Sequence, residues 1–350
     1  MDQQAFNASF LQLVDLRSGT SRPLTSHATT EMFPSLSPDG RTLAYTAGEA
    51  GFDIVEVPLD GTAPRAVIAT SRDEVAPTWA PDGVRFAYST DRSGAPEIWL
   101  RNRLDTSERL IAGRKDFGDV LQIADCAISP DGNRIAYREN GKQIIWISPL
   151  SGEAPVRLWE DTAGKPQRGS SWSPDSNWIA YYSIRDGRTA VLKARVGANT
   201  QPELVAYTSQ GRPVFWSPRG DWIALDDAGG LRIVSPDGRQ DRMVSRKAFY
   251  TYGWSKDGAA LYGITSDENR RLLLHRIDIA TQRETKIADL GPVPAAFDFG
   301  NMTTQFFYRG FSLHPDGKSF LTSVYRVKMH IWLMTDFDCP TRLLDRWWRR

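Results

Sequence analysis

The chain has 350 residues, of which 41% are hydrophobic, a length that can bury a large core. Its 43 basic and 42 acidic residues nearly cancel, so no global field attracts nucleic acid and we expect no nucleic-acid role. No run of 18 apolar residues occurs and the N-terminus lacks an apolar stretch, so we expect neither a membrane span nor a signal peptide in this chain.

The first predicted elements lie in residues 8–26, where two short strands flank the turn Arg17-Ser18-Gly19. This pattern is typical of the end of a structural unit whose beginning is missing. We therefore predict that residues 8–26 complete the last unit of the fold. Whether they add one strand or two stays open.

A turn phrase of the form Ser-Pro-Asp-Gly then recurs about every 46 residues, a period typical of propellers and solenoids. Proline presets φ, aspartate tolerates the bridge region and glycine accepts positive φ, so the phrase predicts a type I turn between antiparallel strands. The seven copies in phase are Ser37–Gly40, Ala80–Gly83, Ser129–Gly132, Ser173–Ser176, Ser217–Gly220, Ser255–Gly258 and His314–Gly317.

Each copy is followed by a strand that alternates large and small residues, as in Ile135-Ala136-Tyr137, and then by a third and a weaker fourth strand. Four short strands per unit predict one blade of a β-propeller. We therefore predict an all-β, seven-bladed propeller of four-stranded antiparallel blades, a single domain over residues 1–350. A further copy, Ser235–Gly238, is out of phase and is predicted to join a third strand to a fourth.

The aspartates of the turn phrase are repeated carboxylates, which would suggest a binding ring. Turn chemistry explains each of them locally, so we interpret them as structural. They are Asp39, Asp82, Asp131, Asp175, Asp257 and Asp316.

The sequence contains no Gly-x-Ser-x-Gly nucleophile motif and no glycine-rich phosphate loop, and its four histidines lack metal-type spacing. We expect no catalytic residue, no metal and no cofactor. An alternative stays open, since His314 and His330 both belong to the last unit: a hydrolase or lyase working in the axial channel. Two cysteines, Cys126 and Cys339, do not determine the redox compartment.

Two segments exceed the blade plan and are candidates for binding, residues 291–309 and residues 114–123, and we interpret the second as a solvated loop. Residues 291–309 are rich in aromatic side chains, which either pack over a blade or form a binding surface. The C-terminal tail, residues 337–350, combines arginines with Trp347 and Trp348 and would suit an interface, or else docks on its own domain. The candidate surface consists of Phe297, Phe299, Phe306, Phe307 and Tyr308.

The Ser-Pro-Asp-Gly turn followed by Ile-Ala-Tyr, with strands such as Glu97-Ile98-Trp99-Leu100, resembles the TolB-like propeller repeat of bacterial proteins. More narrowly, residues 311–320 together with His330-Ile331-Trp332-Leu333 resemble the closing blade of propellers that bacterial serine/threonine kinases carry after the kinase domain. This resemblance implies that the chain is the sensor part of a longer protein. No kinase element or membrane segment is present in it.

We therefore predict a noncatalytic propeller that binds a protein or a small ligand, as the sensor or scaffold domain of a larger bacterial regulatory protein. A second alternative is a TolB-type envelope protein that binds a lipoprotein partner. The location would be extracytoplasmic if the chain is the sensor of a membrane kinase, and cytoplasmic otherwise. The sequence does not identify the ligand.

Overall fold

The structure, a computed structural model, describes residues 10–25, 30–113, 116, 123–139, 144–159, 166–198, 201–211, 213–292 and 308–335. The regular elements in these ranges are β-strands, as predicted for an all-β fold. The chain forms two compact units. We call residues 52–324 the main unit, and residues 1–51 with 325–350 the terminal unit.

Five sheets of the main unit each contain four antiparallel strands in chain order. Sheet 1 consists of β6 (Glu74–Trp79), β7 (Arg85–Thr90), β8 (Glu97–Asn102) and β9 (Glu108–Ala112). Sheet 2 consists of β10 (Ile123–Ile128), β11 (Arg134–Glu139), β12 (Ile144–Pro149) and β13 (Val156–Trp159). Sheet 3 consists of β14 (Pro166–Trp172), β15 (Trp178–Arg185), β16 (Arg188–Arg195) and β17 (Glu203–Thr208).

Sheets 4 and 5 follow the same plan. Sheet 4 consists of β18 (Phe215–Trp216), β19 (Ile223–Asp227), β20 (Gly230–Val234) and β21 (Asp241–Ser245). Sheet 5 consists of β22 (Thr251–Trp254), β23 (Ala260–Ser266), β24 (Arg271–Asp278) and β25 (Glu284–Pro292). The out-of-phase phrase Ser235–Gly238 lies between β20 and β21, the third and fourth strands of sheet 4, as predicted.

The sixth sheet combines strands from the first repeat with strands from the last repeat. It contains β26 (Tyr308–Leu313), β27 (Ser319–Thr335), β4 (Thr42–Pro58) and β5 (Arg65–Ile68). Within the main unit, β26 pairs with residues 320–324 of β27, and β5 pairs with residues 54–56 of β4. The Leu59 backbone N–H donates to the Lys318 carbonyl at 2.8 Å, which joins the two halves of this sheet.

The first strand of each sheet, which we call its leading strand, is hydrogen-bonded to the leading strands on either side. These bonds join sheet 1 to sheet 6 and each later sheet to its predecessor, and sheet 5 is also bonded to sheet 6. They are Trp79 N–Ser312 Oγ (2.8 Å), Ile128 N–Thr78 Oγ1 (3.2 Å), Trp172 Nε1–Ala127 O (2.9 Å), Trp216 N–Ser171 Oγ (2.8 Å), Trp254 Nε1–Phe215 O (2.8 Å) and Thr251 Oγ1–Gly310 O (3.1 Å).

The described residues of the main unit thus contain six sheets of this kind, one fewer than the seven blades predicted. The difference arises because the first and last repeats share one sheet. Residues 308–324 supply its first two strands, and residues 52–68 supply the other two.

The core of the main unit lies between successive sheets. Ile98 and Ala87 of sheet 1, for example, belong to one buried cluster with Ile128 and Ile135 of sheet 2. Small residues such as Ala136, which is fully buried, let the neighbouring sheet approach closely. Burial of these apolar faces stabilises the stack of sheets.

The turn phrases lie where each leading strand ends. In the turn after β10, Asp131 accepts a hydrogen bond from the Asn133 N–H at 3.0 Å, and Gly132 has a φ of 73°. Ser176 occupies the glycine position of its turn with a φ of 58°, and its hydroxyl accepts the Asp131 N–H at 3.0 Å. Neighbouring turns are therefore hydrogen-bonded to each other at this point.

The terminal unit contains three short elements of its own. β1 (Gln12–Val14) and β2 (Ser21–Pro23) form a separate two-stranded sheet. The two strands belong to residues 8–26, which were predicted to complete the last blade. Residues 8, 9 and 26 lie outside the described ranges. β3 (Thr30–Leu36) pairs with residues 43–48 of β4 and has a bulge between Met32 and Ser35. The tail, residues 337–350 with Trp347 and Trp348, lies outside the described residues.

Candidate functional site

Of the predicted aromatic surface, Phe297, Phe299, Phe306 and Phe307 lie outside the described residues, and Tyr308 is the first residue of β26. The role of this surface stays a prediction. Among the described residues, no helix has the length and apolar character needed to cross a membrane.

The turn aspartates are engaged within their own turns. Five of them accept a backbone N–H two residues later, from Arg41, Val84, Asn133, Asn177 and Ala259. Asp316 likewise accepts the Lys318 N–H at 2.8 Å. For the exposed Asp39, the hydrogen bonds from Ser37 and the Arg41 N–H hold the pKa below its ordinary value.

His314 lies in the turn after β26, with its ring 4.7 Å from the Trp79 ring. Its Nε2–H donates to the Gly83 carbonyl at 3.0 Å, and its Nδ1 lies 2.8 Å from Asp316 Oδ1. This histidine therefore joins two turns of sheets 6 and 1. His330 is exposed on β27, in the terminal unit. Within the described ranges, no three His, Cys, Asp or Glu side chains are placed to hold a metal ion.

A group of four carboxyl side chains lies at the opposite end of the leading strands, which we call the start face. It consists of Asp53, near the start of the main-unit part of β4, Asp73 and Glu74 at the beginning of β6, and Asp91 in the turn after β7. Glu74 lies opposite Thr90 in the pairing of β6 with β7, so three chain segments converge here. Sequence reasoning did not single out these residues.

Hydrogen bonds fix the position of this carboxyl group. The Phe52 N–H donates to Asp73 Oδ1 at 3.0 Å, and the Asp73 N–H donates to Asp91 Oδ1 at 3.1 Å. The Thr70 hydroxyl donates to Glu74 Oε1 at 2.5 Å. The backbone around the site is therefore held by the same carboxylates that concentrate negative charge.

Glu74 is the most deeply buried member of the group. Only 2% of its surface is exposed, and its buried Oε2 has no hydrogen-bond partner among the residues that the structure describes. Burial is the main reason that its pKa rises to about 7; the Thr70 hydrogen bond opposes this, and the charges of Asp53, Asp73 and Asp91 add to it. A carboxyl group that titrates near neutrality, among other carboxylates, responds to any positive charge that approaches.

The site lies in the part of the chain that matches a known family. The sequence profile described as "PD40: TolB beta propeller domain" matches residues 52–293. The chain belongs to this TolB propeller family. The match begins at the first residue of the main unit and includes all four carboxyl side chains of the start face.

Two relatives illustrate the range of proteins that share this sequence pattern. "Tol-Pal system protein TolB" of Anaeromyxobacter dehalogenans is 27% identical over 126 residues, 35% of this chain and 27% of the relative. "Dipeptidyl-peptidase 5" of Porphyromonas gingivalis is 24% identical over 267 residues, 70% of this chain and 35% of the relative. The TolB propeller described here thus spans only about a quarter to a third of either relative's length.

Solved structures show the same fold. A putative TolB from Agrobacterium tumefaciens has a TM-score of 0.62 at 19% identity and covers 80% of this chain and 100% of its own. An oligogalacturonate lyase in complex with manganese has a TM-score of 0.54 at 10% identity, with 92% and 99% coverage. At these identities the likeness concerns the propeller fold alone.

Proposed function

We propose that this TolB propeller is a noncatalytic binding domain, the sensor or scaffold part of a larger bacterial regulatory protein, and that it binds a protein partner at the start face. The observation that carries the proposal is the four-carboxyl group around Glu74. Its neighbours are Asp53, Asp73, Asp91 and the Thr70 hydroxyl. Such a group attracts a cation, so the partner should present a lysine or arginine side chain there.

The accessibility of the site supports this view. Asp73 and Asp91 are half-buried, whereas Asp53 and Glu74 are buried. A cationic side chain would therefore meet Asp73 and Asp91 first. Its charge would then favour the ionised form of Glu74, because an opposite charge nearby lowers the pKa of a carboxyl group.

The proposal keeps the chain as one seven-bladed domain of residues 1–350, in which residues 8–26 complete the last blade. The seven copies of the turn phrase support this count. The kinase-type context rests on the resemblance of residues 311–320 and 330–333 to a closing blade, and it would place the propeller outside the cytoplasm. The aromatic side chains of residues 297–308 and the tail tryptophans are further candidate contacts.

A second candidate is a TolB-type envelope protein that binds a lipoprotein partner. The family match over residues 52–293 and the relatives of the Tol-Pal system favour it. Both candidates are binding functions, and they differ in the nature of the longer protein and its partner.

A thermal-shift screen tests the proposal, because a ligand that binds only the folded state raises its stability. The screen would compare an acetylated tetralysine amide with acidic peptides, sugars, nucleotides and divalent metal ions, at matched ionic strength. We expect the basic peptide to raise the melting temperature, and the Glu74→Gln variant to respond less. A shift with sugars or metal ions alone would contradict the proposal and favour a lyase or hydrolase.

A further inference from the structure

One carboxyl oxygen of the start face is buried without a hydrogen bond. Glu74 is 2% exposed, and its Oε2 has no partner among the described residues. The charges of Asp53, Asp73 and Asp91 act on Glu74, so its carboxyl group faces the other three. A buried polar atom without a hydrogen bond costs free energy. A donor from a bound partner would therefore stabilise this atom.

Three of the four carboxyl groups have one oxygen engaged by the chain itself. Asp73 Oδ1 accepts the Phe52 N–H at 3.0 Å, and Asp91 Oδ1 accepts the Asp73 N–H at 3.1 Å. Glu74 Oε1 accepts the Thr70 hydroxyl at 2.5 Å. Because backbone donors hold Asp73 and Asp91, a ligand cannot turn these groups freely to suit its own shape.

This arrangement fits an ammonium group better than a guanidinium group. An ammonium group is compact, and its three N–H donors can each reach a different acceptor. A guanidinium group binds best when both oxygens of one carboxylate accept its parallel N–H donors in one plane. One oxygen of Asp73, of Asp91 and of Glu74 is already engaged, but a carboxylate has about four lone-pair sites, so each group can still accept one further bond.

The burial of the site also favours a slender side chain. Asp73 and Asp91 are half-buried, whereas Glu74 and the Thr90 opposite it are each 2% exposed. Lysine carries its charge at the end of an unbranched stem, whereas arginine ends in a broader planar fork. Arginine is easier to dehydrate, which favours it in buried ion pairs. A preference for lysine would therefore arise from hydrogen-bond geometry and not from charge.

We propose that the start face selects a lysine side chain of the protein partner over an arginine side chain, because the lysine ammonium group donates to Glu74 Oε2 and to the carboxylates of Asp73 and Asp91. Asp53 adds negative charge beside Glu74. This inference rests on the proposed function and specifies which group of the partner the site recognises. It requires N–H donors, so a cation of equal charge without them should bind more weakly.

Three peptides of equal charge test this selectivity. They are the acetylated amides of four lysines, four arginines and four trimethyllysines. Trimethyllysine keeps the charge and the stem of lysine but has no N–H donor on its side chain. Binding to the full chain is measured by calorimetric titration in phosphate buffer at pH 8 and at fixed ionic strength. The carboxyl group of Glu74 is mostly ionised at this pH, since its pKa is about 7.

We expect the lysine peptide to bind about tenfold more tightly than either of the others, which is the effect of one hydrogen bond between charged groups. Asp91→Asn should lose most of this preference, although its amide oxygen can still accept the Asp73 N–H. Glu74→Gln is the second variant, should Asp91→Asn fail to fold. The matched control is Glu268→Gln, which changes an exposed carboxylate in the turn after β23 and should keep the preference.

The outcomes separate this inference from the proposed function. Equal affinity for the three peptides, or tighter binding of the arginine peptide, would overturn the inference and leave a basic partner in place. No binding of any peptide would overturn both. Loss of the lysine preference in Glu268→Gln as well as in Asp91→Asn would also overturn the inference, because the preference would then depend on overall charge.

Discussion

The Ser319 hydroxyl donates a 2.6 Å hydrogen bond to Glu56 Oε1 across 263 residues of sequence. Arg65 donates to Glu56 Oε2 from Nε at 2.9 Å and from Nη2 at 2.5 Å. Arg103, in the turn after β8 of sheet 1, donates to the same oxygen at 3.1 Å. Glu56 is only 4% exposed. One buried carboxylate therefore joins β27, β5 and the neighbouring sheet.

Replacing Glu56 by Gln should destabilise the main unit by about 2–4 kcal/mol, because the buried charge pairs with both arginines are lost. Ser319→Ala should have a smaller effect, about 1–2 kcal/mol, since it removes one hydrogen bond to a charged group. Urea denaturation of each variant measures these differences. The exposed Glu268→Gln is the control and should stay within about 0.5 kcal/mol of the parent chain. Equal stability of Glu56→Gln and the control would contradict the stabilising role of the Glu56 carboxylate.

Acid should weaken the hydrogen bonds and ion pairs of Glu56. Burial raises the pKa of Glu56, but the hydrogen bonds from Ser319 and Arg65 and the charge of Arg103 outweigh it and hold the pKa below its ordinary value of 4.5. The stabilisation is therefore complete above pH 4.5 and is lost as pH falls through the lowered folded value. We expect the stability of Glu56→Gln to decrease less steeply than that of the parent chain below pH 4.5. Parallel curves would contradict this assignment.

Glu74 should produce the opposite pH dependence. Its folded pKa of about 7 lies above the ordinary 4.5, so the folded state binds the proton more tightly than the unfolded state does. The resulting stabilisation is complete below pH 4.5 and is lost as pH rises to about 7, a change of about 3 kcal/mol. Glu74→Gln, which cannot ionise, should lack this decrease in denaturation experiments between pH 5 and 8. An unchanged pH profile in the variant would be evidence against a buried, protonated Glu74.

Ser176 offers a matched pair of variants at one turn. Its φ of 58° is unfavourable for a residue with a side chain, but its hydroxyl accepts the Asp131 N–H. Ser176→Ala keeps the unfavourable backbone and loses the bond, so we expect a destabilisation of about 1–2 kcal/mol. Ser176→Gly loses the bond but relieves the backbone, and should lie within about 0.5 kcal/mol of the parent chain. Thermal denaturation distinguishes these outcomes, and a glycine variant less stable than the alanine variant would contradict the explanation.

The parts of the fold that local chemistry determines could be predicted from the sequence. Proline, aspartate and glycine specify the turns, and alternation as in Ile135-Ala136-Tyr137 specifies the strands, so the family and the four-stranded sheets are confirmed. The sharing of one sheet by the first and last repeats was not predicted. Pairing between residues far apart in sequence depends on competing partners, which the pattern of a single strand does not rank.

The start face escaped prediction for a related reason. Asp53, Asp73, Glu74 and Asp91 come from three segments, and none of them belongs to a recognised motif. The adjacent Asp73 and Glu74 just before a leading strand were the available signal, and they resemble an ordinary solvated pair. Their proximity to Asp91 follows from the pairing of β6 with β7, and their proximity to Asp53 follows from the packing of sheet 1 against sheet 6. Both contribute to the raised pKa of Glu74.

Calorimetric titration of the propeller with acetylated tetralysine amide at pH 7, in phosphate and in Tris, tests the binding role of Glu74 most directly. The difference between buffers reports the protons released on binding. With a pKa of about 7, Glu74 is half protonated at this pH, so we predict the release of up to about half a proton by the parent chain and none by Glu74→Gln. Binding without proton release, or equal release by the variant, would contradict the proposed cation site.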